Sequence, residues 1–283
     1  MPREIRIQVP DDVWSALQAR AQSSGQGAGA LVRAALAEFL DIRHRAMFQV
    51  STSSAVVHGV YEGCVSIAEL RRHGDLGLGT FDGLDGEMIV LDGHCYQARA
   101  DGTVHEVADD VLTPFATVVA FVPHASHEIA SVTSWEDLAG KLDELRESDN
   151  DILAYRMTGQ VASLVARAPC RHESGTDIVT ATADQAVFTF ADPVGTLLGF
   201  WSPEYAEQVA ISGYHLHFLS ADRSSGGHVL DLVAPRLTVE VQVVSDIHVV
   251  LPETESFLST DLEGGVAASL EVAEHERPAD TSR

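Results

Sequence analysis

Cysteine is scarce in this 283-residue chain: Cys64, Cys95 and Cys170 stand far apart, with no C-x-x-C among them. They read as buried or inert thiols, which suits a reducing compartment. Long hydrophobic runs are missing too. No apolar stretch approaches the ~18 residues of a membrane-crossing helix. The opening "MPREIRIQVPDDVW" lacks the apolar core of a secretory signal, so a cytoplasmic location is expected. Basic residues are few, 18 against 42 acidic ones, for a net charge of −24. That excess favours solubility and argues against broad nucleic-acid binding. The glycine-rich "GLGTFDGLDG" lacks the Lys-Ser/Thr of a phosphate loop, and no dinucleotide fingerprint is present. Internal repeats and low-complexity segments are absent as well.

What is present suits a globular protein of about two domains, with 45% hydrophobic and 21% charged residues. Charge divides the chain. Residues 1–46 carry six arginines against five acids, or +1, which leaves −25 for the remaining 237. "EIRIQV" alternates as a short half-buried strand, with Ile5, Ile7 and Val9 on one face. Pro10, Asp11 and Asp12 open a helix that Gly25 ends, and "AGALVRAALAEFLDIR" is a second amphipathic helix with Leu31, Ala35, Leu36, Phe39 and Leu40 inward. Strand, helix, helix is too little chain for its own core and is expected to pair with a second copy. Residues 3–41 resemble the ribbon-helix-helix family of small DNA-binding proteins. The resemblance implies that Glu4, Arg6 and Gln8 read a major groove. The corner "GQGAGA" has no Ser, Thr or basic residue with which to hold phosphate, so DNA binding through residues 1–46 is expected to be weak. A segment that only dimerises stays an equal alternative.

Beyond residue 46 the chain reads as β-rich. "GEMIVLDGHCYQA" is strand, turn, strand, and "SWEDLAGKLDELRES" is an amphipathic helix capped by Ser134, with Asp137 as the capping-box acid. "DILAYRMTGQVASLVARA" suggests two strands around Gly159, "RLTVEVQVV" alternates, and "DLEGGVAASLEVAEHE" ends in a short helix. The tail after about residue 276 is expected to be disordered.

The stretch "GYHLHFLSADRSSGGHVLD" holds three histidines within nineteen residues. In a strand His215 and His217 share a face, ~6.6 Å apart. "SADRSSGG" reads as a loop, and a hairpin across it brings His228 to the same face. Three imidazoles then form a cage with an open position, the arrangement of a catalytic zinc rather than a closed structural one. Ordinary strand histidines remain an alternative on spacing alone, since the chain has thirteen.

Longer strings narrow the choice. "FQVST", "HGDLGLGTFDGLDGEMIVLDGHCYQ", "TPFATVVAF", "GTLLGFWSPEYAEQVAISGYHLHFLSADRSSGGHVLDL" and "LPETESF" run in order along the chain. On these strings residues 48–274 resemble the α-acetolactate decarboxylases. The resemblance implies a metal-dependent carboxy-lyase acting on a small anionic 2-hydroxy-3-keto acid. Decarboxylation of 2-acetolactate to acetoin and CO2 would pass through a zinc-stabilised enediolate. Zn2+, or another divalent metal, would be held by His215, His217 and His228. The resemblance further implies catalytic roles for Glu87 of the L-D-G-E string, for Arg167 and for a glutamate of the last helix. That glutamate aligns with Glu274, with Glu271 and Glu276 as competitors. The string at Arg167 reads "ARAPC" where the family has Arg-Thr-Val-Pro, a local departure. The implied fold is α+β: a small ribbon-helix-helix unit (1–46), then a two-lobed, β-rich decarboxylase (47–283) with mixed and antiparallel sheets, expected to be a homodimer. The alternative is a metal-responsive ribbon-helix-helix transcription regulator, in which the histidines would sense metal for a DNA-reading dimer.

Overall fold

The computed structural model describes residues 6–24, 27–39 and 45–275. The chain divides into two units, Met1–His44 and Arg45–Arg283.

The first unit is two helices, Asp11–Ser24 and Ala28–Phe39. Asp11 and Asp12 occupy the first turn of the first helix, where carboxylates complement the unsatisfied N–H groups. Residues 6–10 form no strand within the single chain. Glu4, Ile5, Gly25, Gln26 and Leu40 lie outside the described residues. Of the inward set expected on the second helix, Leu31 is half-buried, whereas Ala35 is exposed, Leu36 is 44% exposed and Phe39 85%.

The second unit is built on two seven-stranded sheets packed face to face. The first sheet runs Asp246–Val250, Ala46–Val50, Ala116–Val119, Leu76–Thr80, Glu87–Leu91, His94–Ala98, Val104–Glu106. It is mixed: the first two strands pair in parallel and the rest are antiparallel. The turn at Asp92–Gly93 has φ of 52° and 78°, the positive values that a two-residue hairpin turn requires.

The second sheet runs Ile152–Gln160, Val194–Ser202, Gly213–Ser220, Gly226–Val244, Ser163–Ala168, Ala186–Ala191, with Ala125–Val132 also on Gly226–Val244. Every pairing in it is antiparallel. The alternating run "RLTVEVQVV" is the far part of one nineteen-residue strand that begins at Gly226 and includes His228. Pro235 is paired on neither edge: it falls between the partners Ser163–Ala168 and Ile152–Gln160 on one side and is skipped between Ala234 and Arg236 on the other, so its missing N–H breaks no ladder bond. Ile152–Gln160 also pairs with the far half of this strand, and four strands close on themselves. The two expected strands are present, with Gly159 inside the first rather than between them; after Val161 and Ala162 the chain runs on in the same direction along Gly226–Val244 as Ser163–Ala168.

Alternation sorts the side chains. Tyr214, Leu216 and Phe218 enter the core inside the second sheet. Leu219, on the opposite face, joins Leu198 and Phe200 against Leu78, Ile89 and Leu91 of the first sheet. The expected helix is present as Trp135–Asp143. Ser134 caps it, accepting from Asp137 N–H, while Asp137 accepts from Thr133 N–H rather than from Ser134. Short helices Ser53–Val57 and Ile178–Thr182 and the helix Val266–His275 pack together through Val56, Val57, Ile178, Ala181, Val266, Leu270 and Ala273. The tail after residue 275 lies outside the described residues.

Candidate functional site

The same alternation turns His215 and His217 toward the first sheet, opposite the face of Tyr214, Leu216 and Phe218. His228 is the direct cross-strand partner of His217. The hairpin between them is held at its turn by Asp222, whose carboxylate accepts from Ser220 Oγ and from Ser224 N–H and Oγ–H. These bonds, the one from Ser220 foremost, pull the Asp222 pKa down to about 2.

All three imidazoles are buried. Their ring centroids form a triangle with sides of 5.0, 5.0 and 5.4 Å. One nitrogen from each lies within 4.8 Å of the others, so the three could hold a metal ion. His217 Nδ1 is 2.8 Å from the Met88 carbonyl. A carbonyl only accepts, so Nδ1 carries the proton and Nε2 keeps its lone pair, as a metal ligand must. Nε2 of His215 stands 3.1 Å from Nε2 of His217. Two imidazoles bound to one ion at ~2.0–2.1 Å each show a separation of this size. Burial first, and then the neighbouring His215, hold the His217 pKa well below its usual value, which keeps the ring neutral.

Glu87 opens the strand Glu87–Leu91 on the facing sheet and shares its inward side with Ile89 and Leu91. It is 8% exposed, and its Oε2 lies 3.4 Å from His217 Nε2. Arg167 sits across the ladder from His228 and is 3% exposed. Its Nη1 donates to the carbonyl of Ala273, in the last turn of the helix Val266–His275. A cation there complements the negative end of the helix dipole. Glu87, Arg167, His215 and His228 line one small cavity of about 50 Å³. Glu274 lies on the helix whose Ala273 carbonyl meets Arg167, but its side chain and that of Glu271 are outside the described residues, as is Glu276 altogether.

The cavity has walls that sequence reasoning missed: Thr80, Phe115 and Ile211, with Val56, Ile178 and Thr182 from the two short helices. Thr80, Phe115 and Ile211 stand inside the long strings quoted above. Val56, Ile178 and Thr182 carry no motif, and only packing places them here. The arrangement is a buried imidazole cluster with one carboxylate and one guanidinium, in an enclosure that is otherwise largely apolar. Such an enclosure strengthens each electrostatic contact inside it.

The sequence model of the family described as alpha-acetolactate decarboxylase matches residues 47–264. The chain belongs to the alpha-acetolactate decarboxylase family. Among its relatives, the alpha-acetolactate decarboxylase of Methanosarcina mazei is 38% identical over 229 residues, covering 81% of this chain and 80% of its own. That of Lactococcus lactis subsp. cremoris is 37% identical over 218 residues, covering 77% of this chain and 92% of its own. The crystal structure of the Bacillus subtilis strain 168 alpha-acetolactate decarboxylase superposes with a TM-score of 0.79 at 35% identity. That match covers 82% of this chain and all of the other. An acetolactate decarboxylase is a carboxy-lyase acting on a small keto acid, and the β-rich fold with its mixed and antiparallel sheets is the family's. These matches give no support to the metal-responsive regulator. No described helix is long and apolar enough to cross a membrane.

Proposed function

We propose that this carboxy-lyase decarboxylates 2-acetolactate to acetoin and CO2 with a divalent ion, Zn2+ in our reading, held by His215, His217 and His228. The observation that carries the proposal is a cluster of three buried imidazoles, two of which, His215 and His228, line one cavity with Glu87 and Arg167, while His217 stands 3.4 Å from Glu87. Loss of CO2 leaves an electron pair on the carbon that bore the carboxylate, and the adjacent ketone takes it up as an enediolate. The ion, when bound, supplies Lewis-acid stabilisation of the negative charge that develops on oxygen, commonly worth several kcal/mol.

The chain's own residues do the rest. His217 is fixed in its donor-to-backbone tautomer by the Met88 carbonyl, so its ligand nitrogen needs no reorientation. Arg167 holds the anionic substrate by its carboxylate, with planar donors suited to that group. Its bond to Ala273 fixes the guanidinium at the cavity wall. Glu87, or Glu274 from the last helix, returns a proton to the enediolate. The walls of Val56, Phe115, Ile178 and Ile211 keep bulk water from competing for that proton.

Residues 1–46 belong to the same reading as a ribbon-helix-helix-like unit that pairs two copies of the chain and binds DNA weakly. The support is an exposed apolar surface, with Trp14 50% and Phe39 85% accessible. The enzyme domain is 47–283. Cys64, Cys95 and Cys170 are free thiols, which supports a cytoplasmic location.

The test is direct. Zinc-loaded protein mixed with 2-acetolactate releases acetoin and CO2 in equal amounts, and a chelator abolishes the reaction until zinc is restored. Acetoin formation that is indifferent to exhaustive chelation defeats the metal reading. No acetoin from metal-loaded protein defeats the activity.

A further inference from the structure

We infer that Gln97 is a positioning residue for Glu87; the inference rests on the reading of Glu87 as a group acting in the cavity. Gln97 lies on the strand His94–Ala98, paired in the ladder with Met88, while Glu87 pairs with Ala98. Tyr96 and Ala98 face the core between the sheets. Gln97 takes the other side, with Cys95, Met88 and Val90, which form an apolar cluster. It is 7% exposed. A primary amide buried on such a face is unfavourable unless it is hydrogen-bonded. Its Nε2 donates to the main-chain carbonyl of Asp85.

Two residues further along the chain is Glu87, itself paired with Thr80 and Ala98 in the ladders on its two sides, and the segment leading into it turns at Gly86. Gly86 has φ of +81°, and a Cβ there would lie 2.4 Å from the Ala98 carbonyl oxygen. Only glycine fits, and glycine restrains its neighbours least. The carbonyl of Gly86 accepts a 2.8 Å bond from Thr80 Oγ1. The peptide units on both sides of Gly86 are therefore each held by a buried side-chain donor. The Asp85 carboxylate also meets Arg99 at 2.6 Å, but Arg99 is 41% exposed and such pairs contribute little. The N–H of the first of these peptides donates to the Leu84 carbonyl at 2.9 Å, and Gln97 is the buried side chain that holds its carbonyl end, so the two together aim Glu87 at His217, 3.4 Å away.

Among the described residues, Gln97 does not line the cavity, so it acts through Glu87 and not on substrate. Catalytic groups must be held to roughly 0.5 Å, and a shift of ~1 Å can cost ~10²-fold. Gln97→Met, which keeps the length and apolar fit but removes the donor, is expected to lower kcat by ~10-fold. The KM for acetolactate and the zinc content stay at wild-type values. In the Glu87→Gln background the same change lowers kcat no further, because the group it served is already disabled. If Gln97→Met does not fold, Gln97→Asn carries the test: its amide is one carbon too short to reach Asp85, and the same loss and the same non-additivity are expected. Wild-type kcat in a folded Gln97 variant overturns the inference and leaves the reading of Glu87 intact. An undiminished loss in the Glu87→Gln background overturns it too, since Gln97 would then act elsewhere. Full turnover by Glu87→Gln alone overturns the reading of Glu87 and this inference with it.

Discussion

Replacing His217 by asparagine separates what the ring does for the fold from what it does for the metal. The side chain is completely buried, with Nδ1 bonded to the Met88 carbonyl and Nε2 facing His215. Asparagine carries an amide nitrogen at the branch position of Nδ1 and nothing at the position of Nε2. The Met88 bond therefore survives and the ligand is lost. A complete four-ligand zinc site is worth ~10–16 kcal/mol, or ~3 per ligand, so His217→Asn should bind zinc ~10²-fold more weakly. Turnover at limiting zinc should fall at least as far. His217→Ala loses the same ligand and also strands the Met88 carbonyl, a cost of ~1–3 kcal/mol. At ~2–4 °C per kcal/mol for a domain of this size, its metal-free Tm should drop by roughly 2–10 °C, while that of the asparagine variant stays near wild type. The assays are zinc content at buffered free metal, thermal melts in chelator, and acetoin formation. Wild-type zinc affinity and turnover in His217→Asn would falsify the ligand assignment. Equal Tm losses in the two variants would remove the structural role of the Met88 bond.

Arg167→Ala should retain zinc and lose ~10²-fold in turnover, because the substrate carboxylate loses its partner and the helix Val266–His275 loses the bond to Ala273; unchanged kinetics would return Arg167 to a packing role. Asp222 has a folded pKa of about 2, below its ordinary 3.8, so its stabilising contribution is complete above ~3.8 and is lost as pH falls toward 2. Asp222→Ala should accordingly flatten the acid limb of the stability curve between those values, read by melts from pH 2 to 5. Removing residues 1–46 should halve the oligomer mass in sedimentation and leave acetoin formation intact, since the cavity is lined within the second unit. Loss of catalysis in a folded, zinc-loaded truncation would show that the unit builds the site. Nanomolar, sequence-specific DNA binding by the full chain at physiological salt would contradict the weak grip expected of "GQGAGA".

The histidine cluster was legible because its geometry is local. A period of two fixes His215 and His217 on one face, and one hairpin brings His228 opposite His217. Glu87 was legible only through its string: beside glycines it reads as a turn acid, and its approach to His217 depends on two sheets meeting. Arg167 follows the same rule, since its helical partner lies more than a hundred residues away. The walls at Val56, Ile178 and Thr182 left no trace in the sequence, as short helices carry too few turns to show periodicity. The break between the two strands fell at Val161 and Ala162 rather than at Gly159, because glycine marks close backbone approach inside a strand as well as a strand end: a Cβ there would lie 2.4 Å from the Arg236 carbonyl oxygen.

The parallel pair that joins Ala46–Val50 to Asp246–Val250 bears on how the protein is made. Ala46 meets Asp246 two hundred positions later. On the ribosome one flank of the early strand must therefore wait while the whole second sheet is synthesised. A buried, apolar strand with an unpaired flank is a template for association with another nascent chain. Topology of this kind also slows folding, because distant segments must meet before the contact rewards them. Yield of active protein should thus respond to translation speed, temperature and chaperone supply more than its finished stability would suggest.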